Sequence, residues 1–291
     1  MTCTIDFRQF VWIFAHLFVP LQPNRQSMGK LKYILLCLCL GLCACERVID
    51  IDYHDTVPLY AVEGWLTPYE TIVHVCQTRN MSDTTNISNI SDAVVTITDE
   101  NGTVETIPYE NTGYYKSDYS GEPGHTYRLD VSVGGQHFSS TSTMFSMPWI
   151  SSFRVVWRNM LSERYLFGDV RIKDIPNEEN YYYVHVFRNG IPYRSAVLSD
   201  ESNPGQELQQ LFAFNRDGST DWDVLLEGDR MSVQVRTIDR RSYDYLYSLL
   251  QMDNTGTNPI DNFTGGCLGY FSAFCGMTYG FVFKFADVVE E

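Results

Sequence analysis

From residue 57 onward the chain is a series of short segments in which apolar and polar residues alternate, separated by turn residues. Leu59–Leu66 and Thr71–Gln77 have this period of two, with Pro68 turning between them. Such a period sends one set of side chains to a core and the other toward water, the pattern of a half-buried strand. Ala93–Thr98 is the next such segment. Asp99-Glu100-Asn101-Gly102 then predicts a hairpin, because Asn-Gly takes up positive φ at low cost, and Thr103–Pro108 is the expected return strand. Tyr127–Val133 and Gln136–Thr143 flank Gly134-Gly135 and predict a second hairpin by the same logic.

Met147-Pro148-Trp149 marks a junction. Beyond it the strand pattern resumes at Ser152–Asn159, Tyr165–Lys173, Tyr181–Arg188, Tyr193–Leu198, Leu208–Phe214 and Arg230–Thr237. Residues 240–252 are the one good helix, with Tyr243, Leu246, Leu249 and Leu250 at helical spacing and expected to face the core. Phe263–Phe274 and Thr278–Phe285 are expected to close the chain as two aromatic-rich strands. The fold class expected is mainly β, with two consecutive β-sandwich domains. The first, residues 57–146 with about seven strands, is immunoglobulin-like. The second, residues 147–291, is β-rich and carries the helix.

The segment ahead of these domains has a different pattern. Lys30 and Lys32 precede the apolar run Tyr33–Leu40, which Gly41 breaks. That run is about half the ~20 residues a membrane-spanning helix needs, so residues 28–44 form a signal peptide. Leu42-Cys43-Ala44-Cys45 resembles the lipobox of bacterial lipoproteins, with cleavage between Ala44 and Cys45. The resemblance implies a diacylglyceryl group on the Cys45 thiol, and two or three long acyl chains anchor a protein stably to a membrane. Residues 45–56 form an acidic tether. Residues 1–27 are expected to be an extension ahead of a true start at Met28, because Pro20 and Pro23 separate the apolar Phe10–Val19 from the signal.

Charge and chemistry narrow the function by exclusion. The whole chain carries a formal charge of −15, and from Cys45 onward 35 acids face 17 Lys and Arg. A body this acidic is repelled by phosphate backbones, so no nucleic-acid partner is expected. No His-Glu-x-x-His, phosphate-binding glycine loop or Gly-x-Ser-x-Gly elbow is present, and no cofactor is expected. His74 and His185 stand singly in predicted strands. Asn215, Asp217 and Asp221 sit in the densest oxygen-ligand cluster, which partly resembles a calcium loop; a polar turn between strands is the plainer reading. Trp65, Trp149, Trp157 and Trp222 could stack on sugars or anchor a core. Cys267 and Cys275 could pair in an oxidising compartment, although one extended strand between them would hold their ends ~26 Å apart.

Several segments in order resemble a family known mainly from the Bacteroidetes, the domain of unknown function 4249. They are Val62-Glu63-Gly64-Trp65-Leu66, Ser82–Thr85 before Asp92–Thr98, Gly113–Asp118, Gly121–Leu129, Asn258-Pro259 and Gly265–Phe271. Cys267, Cys275 and the long N-terminus depart from the pattern. The resemblance implies a non-catalytic cell-envelope lipoprotein on the outer membrane, acting beside a TonB-dependent transporter. Glu46, Asp50 and Asp52 are similar to signals that send such lipoproteins to the cell surface. A surface adhesin or fimbria-like subunit, and a glycan-acting hydrolase using a carboxylate pair, are the alternatives.

Overall fold

Alternation in sequence becomes alternation in burial. In β1 (Tyr60–Leu66) Val62, Gly64 and Leu66 are buried, and in β2 (Thr71–Gln77) Thr71, Val73 and Val75 are. The structure, a computed structural model, describes residues 57–79, 88–176, 178–202 and 204–291. The signal segment, the Ala44–Cys45 cleavage and lipidation point, the tether and residues 1–27 lie outside the described residues.

The chain continues through β3 (Ser88–Asn89), β4 (Val94–Thr98), β5 (Val104–Thr106), β6 (Tyr109–Asn111), β7 (Tyr114–Ser117), β8 (Thr126–Val133) and β9 (Gln136–Thr143). Both expected hairpins form. Asp99 Oδ1 accepts from the N–H groups of Asn101 and Thr103 at 2.9 and 2.8 Å, which closes the first turn. Gly134 and Gly135 have φ of 56° and 76°, the doubly positive pattern of a type I′ turn.

The second stretch holds β10 (Trp149–Met160), β11 (Glu163–Lys173), β12 (Tyr181–Arg188), β13 (Ile191–Ser199), β14 (Glu207–Arg216) and β15 (Arg230–Ile238). After these come α1 (Arg240–Thr255), β16 (Leu268–Ala273), β17 (Cys275–Val282) and β18 (Val289–Glu290). Two sheets, β13-β12-β15-β17 and β14-β11-β10-β18, face each other over a core that includes Val170, Ile172, Tyr182, Val184 and Val233. The first sandwich stacks β5-β4-β8-β9 on a sheet ordered β16-β1-β2-β7-β6, with β3 also beside β2. Val62, Val73, Ile97, Leu129 and Phe138 fill its core.

The two sandwiches are consecutive in the chain except for one strand. β16 leaves the second stretch and pairs in parallel with β1, from Ala61 opposite Leu268 to Leu66 opposite Ala273. One residue later, β17 pairs with β15 in the second sandwich. The expected strand 263–274 is therefore shorter. Gly265 and Gly266, with φ of 96° and 85°, keep its first residues out of the ladder, and the last strand begins at Cys275 rather than Thr278.

Helix α1 starts where the sequence predicts and runs three residues further. Asp239 caps it by accepting from the Ser242 N–H at 2.7 Å, and the left-handed Gly256 ends it. Its packed stripe differs from the expected one. Tyr245 and Leu246 are buried, Tyr243 is half-buried, and Leu249 and Leu250 are exposed. Its first turns supply the packed residues: Tyr245 and Leu246 pack with Tyr181, Ile238, Tyr270 and Phe274, and Trp65 and Tyr183 join them. This aromatic cluster is a third core, lying between the two sandwiches.

Gly269 marks the tightest point of the crossing. Its φ is 102°, and a Cβ there would lie 1.9 Å from the Val62 carbonyl oxygen. Gly269→Ala is expected to lower unfolding free energy by about 3 kcal/mol or more, from strain plus a backbone clash. Urea unfolding checks this; a loss under 1 kcal/mol would contradict the close β1–β16 pairing.

Candidate functional site

The side chains that stand out for recognition lie at one end of the second sandwich. The β12–β13 turn is Asn189-Gly190, with φ of 54° and 81°, another type I′ geometry. Asn189 holds the neighbouring chain: its Nδ2 donates to Asp229 Oδ1 at 2.8 Å, and its Oδ1 accepts from the Arg230 N–H at 2.9 Å. Arg188 donates through Nε to Asp229 Oδ2 and through Nη2 to the Val224 carbonyl, each at 2.8 Å. The Leu226 N–H donates to the same Asp229 oxygen at 2.8 Å. Asp229 thus gathers the β14–β15 connection onto the hairpin.

Asp223 pins the same connection from the other side. Its carboxylate lies 3.0 Å from Arg194 Nη2 and 3.8 Å from Arg188 Nη1. Tyr193 donates to the Asp223 carbonyl at 3.0 Å, and the Arg194 guanidinium lies 4.2 Å from the centre of the Tyr193 ring. Burial raises the Tyr193 hydroxyl above its ordinary pKa, so it remains a neutral donor. With both flanks held, Trp222 at the crest is 93% exposed. Beside it a groove of about 440 Å³ is lined by Ile191, Pro192, Tyr193, Arg194 and Trp222 among others. Ile191 and Leu226 are also exposed. An indole, a phenol ring and guanidinium planes on a pinned loop form a surface suited to stacking and to anchoring a partner.

Other residues singled out in the sequence go elsewhere. Asn215, Asp217 and Asp221 do not converge. Asn215 Oδ1 accepts from the Leu225 N–H at 3.4 Å, Asp217 lies 3.6 Å from Arg164, and Asp221 accepts from the Ser219 hydroxyl at 3.0 Å. They serve a polar turn. Among the described residues no group of three His, Cys, Asp or Glu could hold a metal ion. Cys267 and Cys275 are free and buried at opposite ends of β16, whose extended course keeps them apart. Burial pushes the Cys267 thiol up to about 12, leaving it an unreactive part of the core.

His74 stacks on Tyr114 with ring centres 4.4 Å apart, and His185 lies between Tyr183 and Phe187. Burial, reinforced by Arg236, holds His185 below its ordinary value and therefore neutral. Trp65 is an anchor, donating to the Tyr270 hydroxyl at 3.0 Å. Trp157 lies under the Arg164 guanidinium, and Trp149 is exposed at the start of β10. Of the four tryptophans, Trp222 combines exposure with a shaped, pinned surround.

The family model described as Domain of unknown function (DUF4249) matches residues 46–274. No curated protein matches the chain. Among solved structures, a two fibronectin type-III domain segment from chicken tenascin is similar at 10% identity, over 78% of this chain and 99% of that chain, with a TM-score of 0.21.

Trp222→Ala is expected to change stability by less than about 0.5 kcal/mol, since the side chain packs on little. It should also remove the red-edge, acrylamide-quenched part of the tryptophan emission. A blue-shifted loss or a large stability change would mean that Trp222 is buried.

Acid should loosen the pinned loop. Burial alone would raise Asp229, but hydrogen bonds from the Leu226 N–H, Asn189 and Arg188 outweigh it and hold the carboxyl below its ordinary value. Asp169 on β11 is held down in the same way, burial being outweighed by Gln209, Arg154 and Arg171. Groups with depressed folded pKa values bind fewer protons than the unfolded chain. Their stabilisation is complete above about pH 4 and is lost as pH falls through the folded values. Urea unfolding between pH 7 and pH 3 should show that fall, and Asp229→Ala should cost about 2 kcal/mol at pH 7 by removing the acceptor shared by Arg188, Asn189 and the Leu226 N–H. A pH-independent midpoint would be the contrary result.

Proposed function

The chain belongs to the DUF4249 family, and from that premise we propose that it is a non-catalytic, lipid-anchored lipoprotein of the cell envelope. In this reading Cys45 is acylated and the body stands on the outer membrane, facing the cell surface. The second sandwich then presents its Trp222 end to an outer-membrane partner, a TonB-dependent transporter. Location is supported by the lipobox-like Leu42–Cys45 and by a family match that begins at the next residue, Glu46.

The observation that carries the binding role is the Trp222 crest. Exposed tryptophan on a loop fixed by partly buried ion pairs is surface arranged to be covered, since Trp and Arg dominate the energetics of protein interfaces. The groove holds no nucleophile paired with a base. Arg188 and Arg194 hold the Asp223 carboxylate in ion pairs, which leaves it poorly placed for acid–base work. A glycan stacked on Trp222 and Tyr193 is the second reading, favoured by the same flat rings.

Two measurements test the proposal. Wild type should incorporate radioactive palmitate and pellet with membranes, whereas Cys45→Ser should do neither; equal behaviour of the two removes the anchor. Pull-down of the native acylated protein should recover a TonB-dependent transporter. Trp222→Ala should recover about thirtyfold less, the equivalent of losing ~2 kcal/mol at an interface anchor. Equal recovery by both forms, or none by either, removes the docking role; retention on immobilised glycans that is lost in Trp222→Ala would favour the second reading.

A further inference from the structure

The opposite end of the second sandwich is closed in an unexpected way. Strand alternation sends Val170 and Ile172 of β11 into the core, and the next inward position is Asp174. In β12 the inward set is Tyr182, Val184 and Val186, and the preceding inward position is Asn180. In β13 Ala196 and Leu198 pack on the same core, and the next position on their face is Asp200. Three polar side chains therefore point into the end of an apolar core. They are 4%, 1% and 1% exposed for Asp174, Asn180 and Asp200.

Hydrogen bonds satisfy Asp174 but not its two neighbours. Asp174 Oδ1 accepts from the Tyr182 hydroxyl at 3.0 Å and Oδ2 from the Gly205 N–H at 2.6 Å. Asp200 and Asn180 are cross-strand neighbours, joined through the Asp200 N–H and the Asn180 carbonyl at 3.2 Å. Among the described residues, Asp200 Oδ2 has no hydrogen-bond partner, and neither Oδ1 nor Nδ2 of the Asn180 side chain has one. Burial raises the Asp200 carboxyl, with Asp174 and Glu179 adding to the effect, and burial followed by Asp174 and then Asp200 raises Tyr182. The nearby Arg240 is taken up by Glu179, Glu201 and Tyr181. Two neighbouring carboxylates and an open amide oxygen, all buried, are a costly arrangement unless a cation joins them.

We propose that Asp174, Asn180 and Asp200 bind a divalent cation, calcium by preference, that closes this end of the sandwich. The set offers carboxylate and amide oxygens only, which suits a hard cation and excludes thiolate- or imidazole-seeking metals. Calcium fits better than magnesium because ligands borrowed from three strand ends form an irregular cage, and calcium tolerates irregular coordination of six to eight oxygens. Carbonyls or waters would complete the shell. Two carboxylates place the affinity in the range of extracellular modules, with a Kd between about 10⁻⁴ and 10⁻³ M.

The test uses the protein from Cys45 onward, with Cys45→Ser for solubility, first stripped with EDTA. Added calcium is expected to raise Tm by about 5 °C or more at saturation, reversibly with chelator, and magnesium by less. Terbium should show tyrosine-sensitised luminescence through Tyr182, and calcium should displace it. Asp200→Asn should abolish both signals. If that variant does not fold, Asn180→Asp serves, because the added charge should tighten calcium binding about tenfold or more while lowering the calcium-free Tm. No Tm response up to 10 mM calcium (about tenfold above the weakest affinity expected) together with no terbium emission would overturn the proposal. Emission unchanged in the Asp200→Asn variant would also overturn it. A pH-dependent Tm that ignores calcium would assign the cluster to a protonated Asp200 or a buried water instead.

Discussion

The parallel pairing of β16 with β1 is the contact on which the rest of the structure depends. It joins positions some two hundred residues apart and lays Phe271 and Ala273 into the first core. Phe274 then separates β16 from β17, which is an edge strand of the second sandwich. The first sandwich cannot complete its sheet until the chain has passed through nearly all of the second. Long-range parallel pairing closes a large loop before it is rewarded by contacts, so this step belongs late in folding. The close approach to Val62 explains why position 269 has no side chain.

Polar groups join the aromatic cluster in holding the crossing. Asp239 caps α1 and also accepts from the Ser142 hydroxyl and the Thr143 N–H of β9, so one carboxylate ties the helix to the first sandwich. Burial raises its pKa against these hydrogen bonds. Asn262 makes a similar stitch: its Oδ1 accepts from the Ser140 hydroxyl at 2.6 Å and the Phe271 N–H at 2.9 Å. Hydrogen bonds of this kind contribute modestly to stability, but leaving a partner stranded is expensive, so they select one arrangement of the sandwiches.

The two ends of the second sandwich solve opposite problems. At the Asn189-Gly190 end, ion pairs are spent on the loop so that a large aromatic can remain outside it. At the Asp174–Asp200 end, polar side chains occupy positions where the alternation calls for apolar ones, and protein groups leave them partly unpaired. Both are departures from what stability alone would favour, and such departures concentrate where a protein meets something else.

Local features were legible in the sequence because local forces produce them. Period-two alternation located the longer strands, Asn101-Gly102 and Gly134-Gly135 located two turns, and the helix begins at Arg240 as its spacing predicts. Asn189-Gly190 carried the same turn signal between two predicted strands, and it was the available pointer to the Trp222 end. What a period of two cannot say is which strand lies alongside which, because any half-buried strand presents the same face to any partner. Tertiary packing alone decided that β16 serves the first sheet, that Leu249 and Leu250 lie beyond the reach of a core, and that Asp217 turns to Arg164. It also set Trp222 outside and Asp200 inside, although both have polar neighbours in the sequence. Burial is a property of neighbours brought together from distant parts of the chain, and a sequence read segment by segment does not contain them.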